Sequence, residues 1–201
     1  MTDAKDRRRP LIWEGSSKKD FKEFPSEVQK DFGVALFVVQ IGGTPSSAKP
    51  WKGLGSGVFE LVDHHCGDTY RAVYTVRIQD RRLCSRGTTW PGGDDVARKK
   101  LRKGTDNVLV DLGFDDAQEL SAKAILAVKL NELIDAQALN QAQAAAILGM
   151  PQPKISAIRH YKLQGISLER LMHALTALGQ HVQIVVRPSR RGAPAGIKVA
   201  A

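Results

Sequence analysis

"LNQAQAAAILGMPQPKISAIRHY", residues 139–161, decides how the second half of the chain is read. A short helix from Gln141 to Leu148, a tight turn at Gly149 and a second helix from Gln152 to about His160 give the layout of a helix-turn-helix. Each position has a physical reason. Ala145 falls where the two helices should cross, where a larger side chain would push them apart. Gly149 can take the positive φ of the turn. Leu148, Ile155 and Ile158 share an inward face and should hold the angle. Pro153 lies in the first turn of the second helix, where its missing N–H removes no helical hydrogen bond. The second helix is then expected to present Gln152, Lys154, Ser156 and Arg159. Those types suit a DNA groove: Gln pairs bidentately with adenine, Arg with guanine, and Lys and Ser hold phosphate. A plain helical hairpin in a bundle would not need that polar set.

The flanks extend the domain. In "SAKAILAVKLNELIDAQAL" Ala122, Leu126, Leu130, Leu133 and Ile134 form an amphipathic helical face. "SLERLMHALTALG" starts at a Ser167 cap, carries Leu168, Leu171, Met172, Leu175 and Leu178 as its stripe, and closes at Gly179. "HVQIVVRP" alternates Val182, Ile184 and Val186, a single expected β-strand with no partner in its own unit. An unpaired strand exposes hydrogen-bonding groups, so it is expected to pair with a second copy of the chain or with the first unit. The segment from Ser189 on is rich in Gly, Pro and Arg and reads as a disordered tail.

Charge is divided along the 201 residues, whose formal net charge is +9. Residues 1–103 hold 20 Lys/Arg against 13 Asp/Glu, residues 104–153 hold 2 against 7, and residues 154–201 hold 8 against 1. Two basic bodies around an acidic segment point to polyanion contacts at two places. The second basic section begins at the helix expected to enter DNA. No apolar run approaches a membrane span, and "MTDAKDRRRP" lacks the apolar core of a secretory signal. Two cysteines make no disulfide framework. The expectation is a cytoplasmic protein with no membrane partner.

The first half reads as a separate α+β unit. "PLIWEG" is a short strand, and "SSKKDFKEFP" a helix with Phe21 and Phe24 on one face. "SEVQKDFGVALFVVQIGG" is a second helix expected to be capped by Ser26 and ended by Gly42–Gly43. A Gly/Pro-rich loop follows, then "VFELVDHH" and "TYRAVYTVR" as a hairpin around Cys66-Gly67-Asp68. His64, His65, Cys66 and Asp68 invite a metal reading, but adjacent strand residues point to opposite faces, and no metal site is expected. "KGLGSG" lacks the helix a nucleotide loop needs. No cofactor is implied.

Two resemblances follow from these motifs. "NQAQAAAILGMPQPKISAI" resembles the core of Xre/Cro-type regulators, and the run from "NVLVDLGFDDAQEL" to "HVQIVVRP" resembles HigA-type antitoxins. That resemblance implies a homodimer repressing its own operon at operator DNA, with Gln141 and Gln152 as polar helix starts and Lys154, Ser156 and Arg159 facing DNA. Asn140 stands where Thr is commoner, and either can cap the helix. "RPLIWEGSSKKDFKEFPSEVQ", "AKPWKGLGSGVFELV" and "DTYRAVYTVR" resemble the phage-related HigB/RelE toxins, ribonucleases that cut mRNA, typically on the ribosome. The resemblance gives Lys52 and Arg71 phosphate roles in catalysis, with Lys49 and His65 as weaker candidates.

That toxin family usually continues into a last strand with a pattern close to A-V-Y-V-L-H-x-F-x-K-K-S. Here "RRLCSRG" stands instead. Codons such as CGC CGT CTA TGT for residues 81–84 would read Ala-Val-Tyr-Val in a neighbouring frame, so a frame change after about Arg77 accounts for the stretch. Sequencing the gene tests this, since incompatible codons rule it out. The expected architecture is therefore a toxin-like unit over 1–77 (β-α-α-β-β, last strand missing), an irregular seam over 78–106, an all-α helix-turn-helix domain over 107–188 with a C-terminal β-strand, and a tail over 189–201. The expected function is that of a type II toxin–antitoxin protein. It would bind DNA and autorepress, carry a crippled toxin segment, and offer a surface for an intact cognate toxin. The alternative is a ribosome-dependent endoribonuclease restrained by its fused antitoxin.

Overall fold

The computed structural model describes residues 8–51, 57–77, 82–87, 102–188 and 196–199. The chain divides into two compact units, Met1–Asp115 and Asp116–Ala201.

The first unit is α+β. β1 (Leu11–Trp13) leads into α1 (Ser17–Lys22) and α2 (Ser26–Gln40), followed by β2 (Ala48–Pro50), β3 (Val58–His65), β4 (Asp68–Arg77), β5 (Arg82–Gly87), β6 (Arg102–Lys103) and α3 (Val108–Leu112). The strands form one sheet in the order β2-β3-β4-β5-β1-β6. The expected hairpin is present with Val62 opposite Arg71 and Glu60 opposite Val73. Its turn takes φ of 51° at Cys66 and 89° at Gly67. α2 begins at Ser26 with Pro25 as its cap residue, one position before the cap the sequence indicates.

Two expectations about this sheet are corrected. The strand taken as missing is formed, since β5 lies antiparallel to β4 and parallel to β1. β4 and β1 each offer a backbone edge, and a strand inserted between them satisfies both whatever its side chains are. The seam over 78–106 thus contributes β5 and β6, while residues 78–81 and 88–101 lie outside the described residues. β2 was expected as part of a loop; it pairs antiparallel with β3, placing Lys49 opposite Glu60.

The core lies on one face of the sheet. Leu61, Ala72 and Tyr74 are buried there, and α2 contributes Val28, Phe32, Leu36, Phe37 and Val39. Trp13, Phe21, Phe24, Phe32 and Tyr70 make a chain of ring contacts between 5.3 and 6.4 Å. Burial holds the Tyr74 phenol well above the ordinary tyrosine range. At the end of α2 the fully buried Gln40 donates to the carbonyls of Arg9 and Thr105 and accepts from the Val108 backbone N–H. That side chain ties α3 to α2, where Leu109 and Leu112 are buried beside Gly33.

The second unit is helical: α4 (Ala117–Ala136), α5 (Gln141–Leu148), α6 (Gln152–Arg159) and α7 (Leu168–Ala177). α4 starts four residues before the Ser121 that opens the sequence pattern, and Ser121 instead donates to the Ala117 carbonyl. α7 has the expected Ser167 cap, whose hydroxyl accepts from the Arg170 N–H. The expected C-terminal strand is not formed. Residues 181–188 take no regular structure, and Ile184, Val185 and Val186 are exposed. An extended segment forms no ladder unless a partner edge lies beside it.

Candidate nucleic-acid interface

The helix-turn-helix is built as its residues dictate. Asn140 caps α5 in a reciprocal box: its side chain accepts from the Gln143 N–H, and the Gln143 side chain accepts from the Asn140 N–H. Gly149 ends the helix in the left-handed region, at φ 59° and ψ 33°, with its neighbour Met150 donating back to the Ala145 carbonyl. Leu148, Ile155 and Ile158 are buried as expected. The small residue at the crossing is a correction: Ala144 is fully buried, whereas Ala145 is only half-buried. A register one residue earlier puts Ala144 and Leu148 four apart on the same face.

The structure treats the five expected DNA-facing residues differently. Gln141, in the first turn of α5, and Gln152, in the first turn of α6, are exposed, and Ser156 is half-exposed. Lys154 is half-buried, and its Nζ donates to the Gly165 carbonyl at 2.9 Å. Arg159 lies 2.7 Å from Asp135 of α4 and donates to the Asn131 carbonyl at 3.4 Å. Asn131 in turn donates from its side chain to the Ile158 carbonyl at 3.2 Å. α6 is therefore fastened to the next loop near its start and to α4 at its end. His160, which the sequence reading left out, is exposed just after α6, with Nδ1 2.8 Å from the Ser156 carbonyl. Its spacing of four from Ser156 and eight from Gln152 is a signal the sequence already contained.

In the first unit, the toxin-type candidates separate by face. Arg71 projects from the sheet face opposite the core and meets Glu60 at 3.0 Å, with the Glu60 side chain largely covered. Lys49, opposite Glu60 across β2 and β3, shares that face and is exposed. His65 belongs to the other face and pairs with Glu27 of α2 at 3.2 Å. Lys52 lies outside the described residues. Among the described residues no group of three His, Cys, Asp or Glu could hold a metal ion. No helix there is long and apolar enough to cross a membrane.

A helix-turn-helix behind a small α+β sheet unit defines a two-part chain with a DNA-binding type of fold in its second half. Comparison with known families also gives two parts, with α3 of the first unit falling in the second match. Residues 108–187 match the family described as helix-turn-helix domain, and residues 19–86 match the family described as phage derived protein Gp49-like. The chain thus joins a Gp49-like, phage-derived part to a helix-turn-helix domain, an arrangement that fits a toxin–antitoxin fusion. A solved structure described as a candidate XRE family transcriptional regulator is 54% identical and covers 43% of this chain and 98% of its own, with a TM-score of 0.40. A comparison with curated proteins finds no match.

Proposed function

We propose that the chain is a type II toxin–antitoxin regulator that binds operator DNA as a homodimer through α5 and α6 and represses its own operon. The supporting observation is the α5–Gly149–α6 unit, with a capped first helix, a left-handed glycine turn and an open polar edge at Gln152 and Ser156. In this reading Gln141, Gln152 and Ser156 contact DNA, the basic section from Lys154 onward supplies attraction to the polyanion, and residues 1–77 and 107–188 act as toxin-derived and antitoxin-derived parts. Soluble, folded full-length chain carrying Gln152→Ala with Lys154→Ala should lose binding to DNA from upstream of its own gene. Unchanged binding by that variant would count against the helix-turn-helix as the interface.

One observation favours a second reading, that of an mRNA interferase acting on the ribosome. Lys49 and Arg71 share the open face of the sheet, and two cations beside a covered carboxylate could hold a scissile phosphate. Cleavage of mRNA in a translating extract by the full-length chain, abolished by Arg71→Ala, would support it. An inert, folded chain would leave the first unit as a toxin remnant or as the part that binds an intact toxin.

A further inference from the structure

α6 carries two cations and an uncharged stripe beside Arg159, and the structure employs them differently. Lys154 and Arg159 are the charged residues of α6, and both are engaged inside the second unit: Lys154 with the Gly165 carbonyl, Arg159 with Asp135 and the Asn131 carbonyl. The Asn131 amide closes the same contact from the other side, on the Ile158 carbonyl. Gln152, Ser156 and His160 stand at i, i+4 and i+8 and so share one helical face. The His160 geometry adds chemistry. A carbonyl oxygen only accepts, so Nδ1 is the protonated ring nitrogen facing Ser156, and in the neutral ring Nε2 is left as an acceptor. Such an acceptor fits the exocyclic amino group that cytosine or adenine shows in the major groove.

We propose that Gln152, Ser156 and His160 determine DNA sequence specificity, while Lys154 and Arg159 are positioning residues that set the pose of α6 through Gly165, Asp135 and Asn131. This assignment rests on the DNA-binding reading above and goes beyond it, adding His160 and removing the two cations from base readout.

The test uses full-length chain, a duplex enriched by that chain from a random pool, and a scrambled duplex of equal length. His160→Ala is expected to lower the enriched-to-scrambled affinity ratio by roughly 5- to 150-fold, with the salt dependence of binding unchanged. Asp135→Asn is the decisive variant. Deleting a negative charge beside a polyanion should tighten binding to any duplex if Arg159 acts only as a charge. If Arg159 is a positioning residue, binding to the enriched duplex weakens while binding to the scrambled one holds or tightens. Arg159→Gln should then mimic Asp135→Asn and keep the wild-type salt slope. Overturning results are equal tightening on both duplexes by Asp135→Asn, a salt slope smaller by about 1 in Arg159→Gln, which marks a lost phosphate contact, or an unchanged ratio in His160→Ala. If the wild-type chain enriches no duplex at all, the DNA-binding reading itself fails. The other adverse outcomes sink only the division of labour along α6.

Discussion

Gly149→Ala isolates the turn on which the interface depends. Gly149 sits at φ 59° and ψ 33°, and a Cβ placed there meets no atom within 4 Å. The substitution therefore creates no clash, and its cost is conformational alone. Holding an L-residue in the left-handed region costs about 1–2 kcal/mol. Alanine also narrows the unfolded ensemble, which returns about 0.4–1 kcal/mol. The net expectation is a loss of about 1 kcal/mol from the second unit, a fall in its Tm of about 4–8 °C for a unit of this size. Asn tolerates this region better than Ala, so Gly149→Asn should lose less. Thermal unfolding followed by circular dichroism on the full-length chain measures both, with the second unit resolved by its helical signal. An unchanged Tm in Gly149→Ala would refute the left-handed turn. A loss above about 3 kcal/mol would mean that atoms crowd the turn and that the open space is wrong.

Other consequences are equally direct. Ile158→Ala, at a fully buried position between α6 and its neighbours, should cost about 2–5 kcal/mol by chemical denaturation and weaken DNA binding with it. Gly33→Val should destabilise the first unit by about 1–3 kcal/mol, because even a Cβ there lies 3.1 Å from Leu109 and from Phe114; wild-type stability would mean that α3 does not pack on α2 as described. Tyr74 gives a pH signature. Its folded-state phenol ionises above its unfolded value because burial disfavours the charged form, so stability is full below about pH 10 and falls at higher pH, by about 1.4 kcal/mol per pH unit while only the unfolded state is ionised. Alkaline unfolding of Tyr74→Phe should lack that slope, and an identical slope would place the titration elsewhere.

How much was legible followed the range of the interactions. The cap at Asn140, the glycine at 149 and the inward positions of Leu148, Ile155 and Ile158 all depend on neighbours within one or two helical turns, and the sequence shows them. The sheet depends on distant pairings. β5 exists because two separate strands leave edges for it, which no pattern within "RRLCSRG" can indicate. The same holds for Gln40, whose partner Val108 is 68 residues away, and for Arg159, whose acceptor Asn131 is 28 residues away. Helical periodicity puts Arg159 beside Gln152 and so among the DNA-facing residues, but it cannot show that α4 supplies a carboxylate within reach. The exposed "HVQIVV" segment shows the converse: alternation supplies a strand's pattern without supplying its partner.

If α5 and α6 form a DNA interface, one titration shows it. Purified full-length chain is titrated against a duplex from upstream of its own gene and against a scrambled duplex, at 50 and 200 mM salt. Binding to the upstream duplex should be tighter by at least ~10³-fold, weaken at the higher salt, and lose roughly 5- to 150-fold of that preference in Gln152→Ala. Equal binding to both duplexes, or a preference that survives Gln152→Ala unchanged, would contradict that interface.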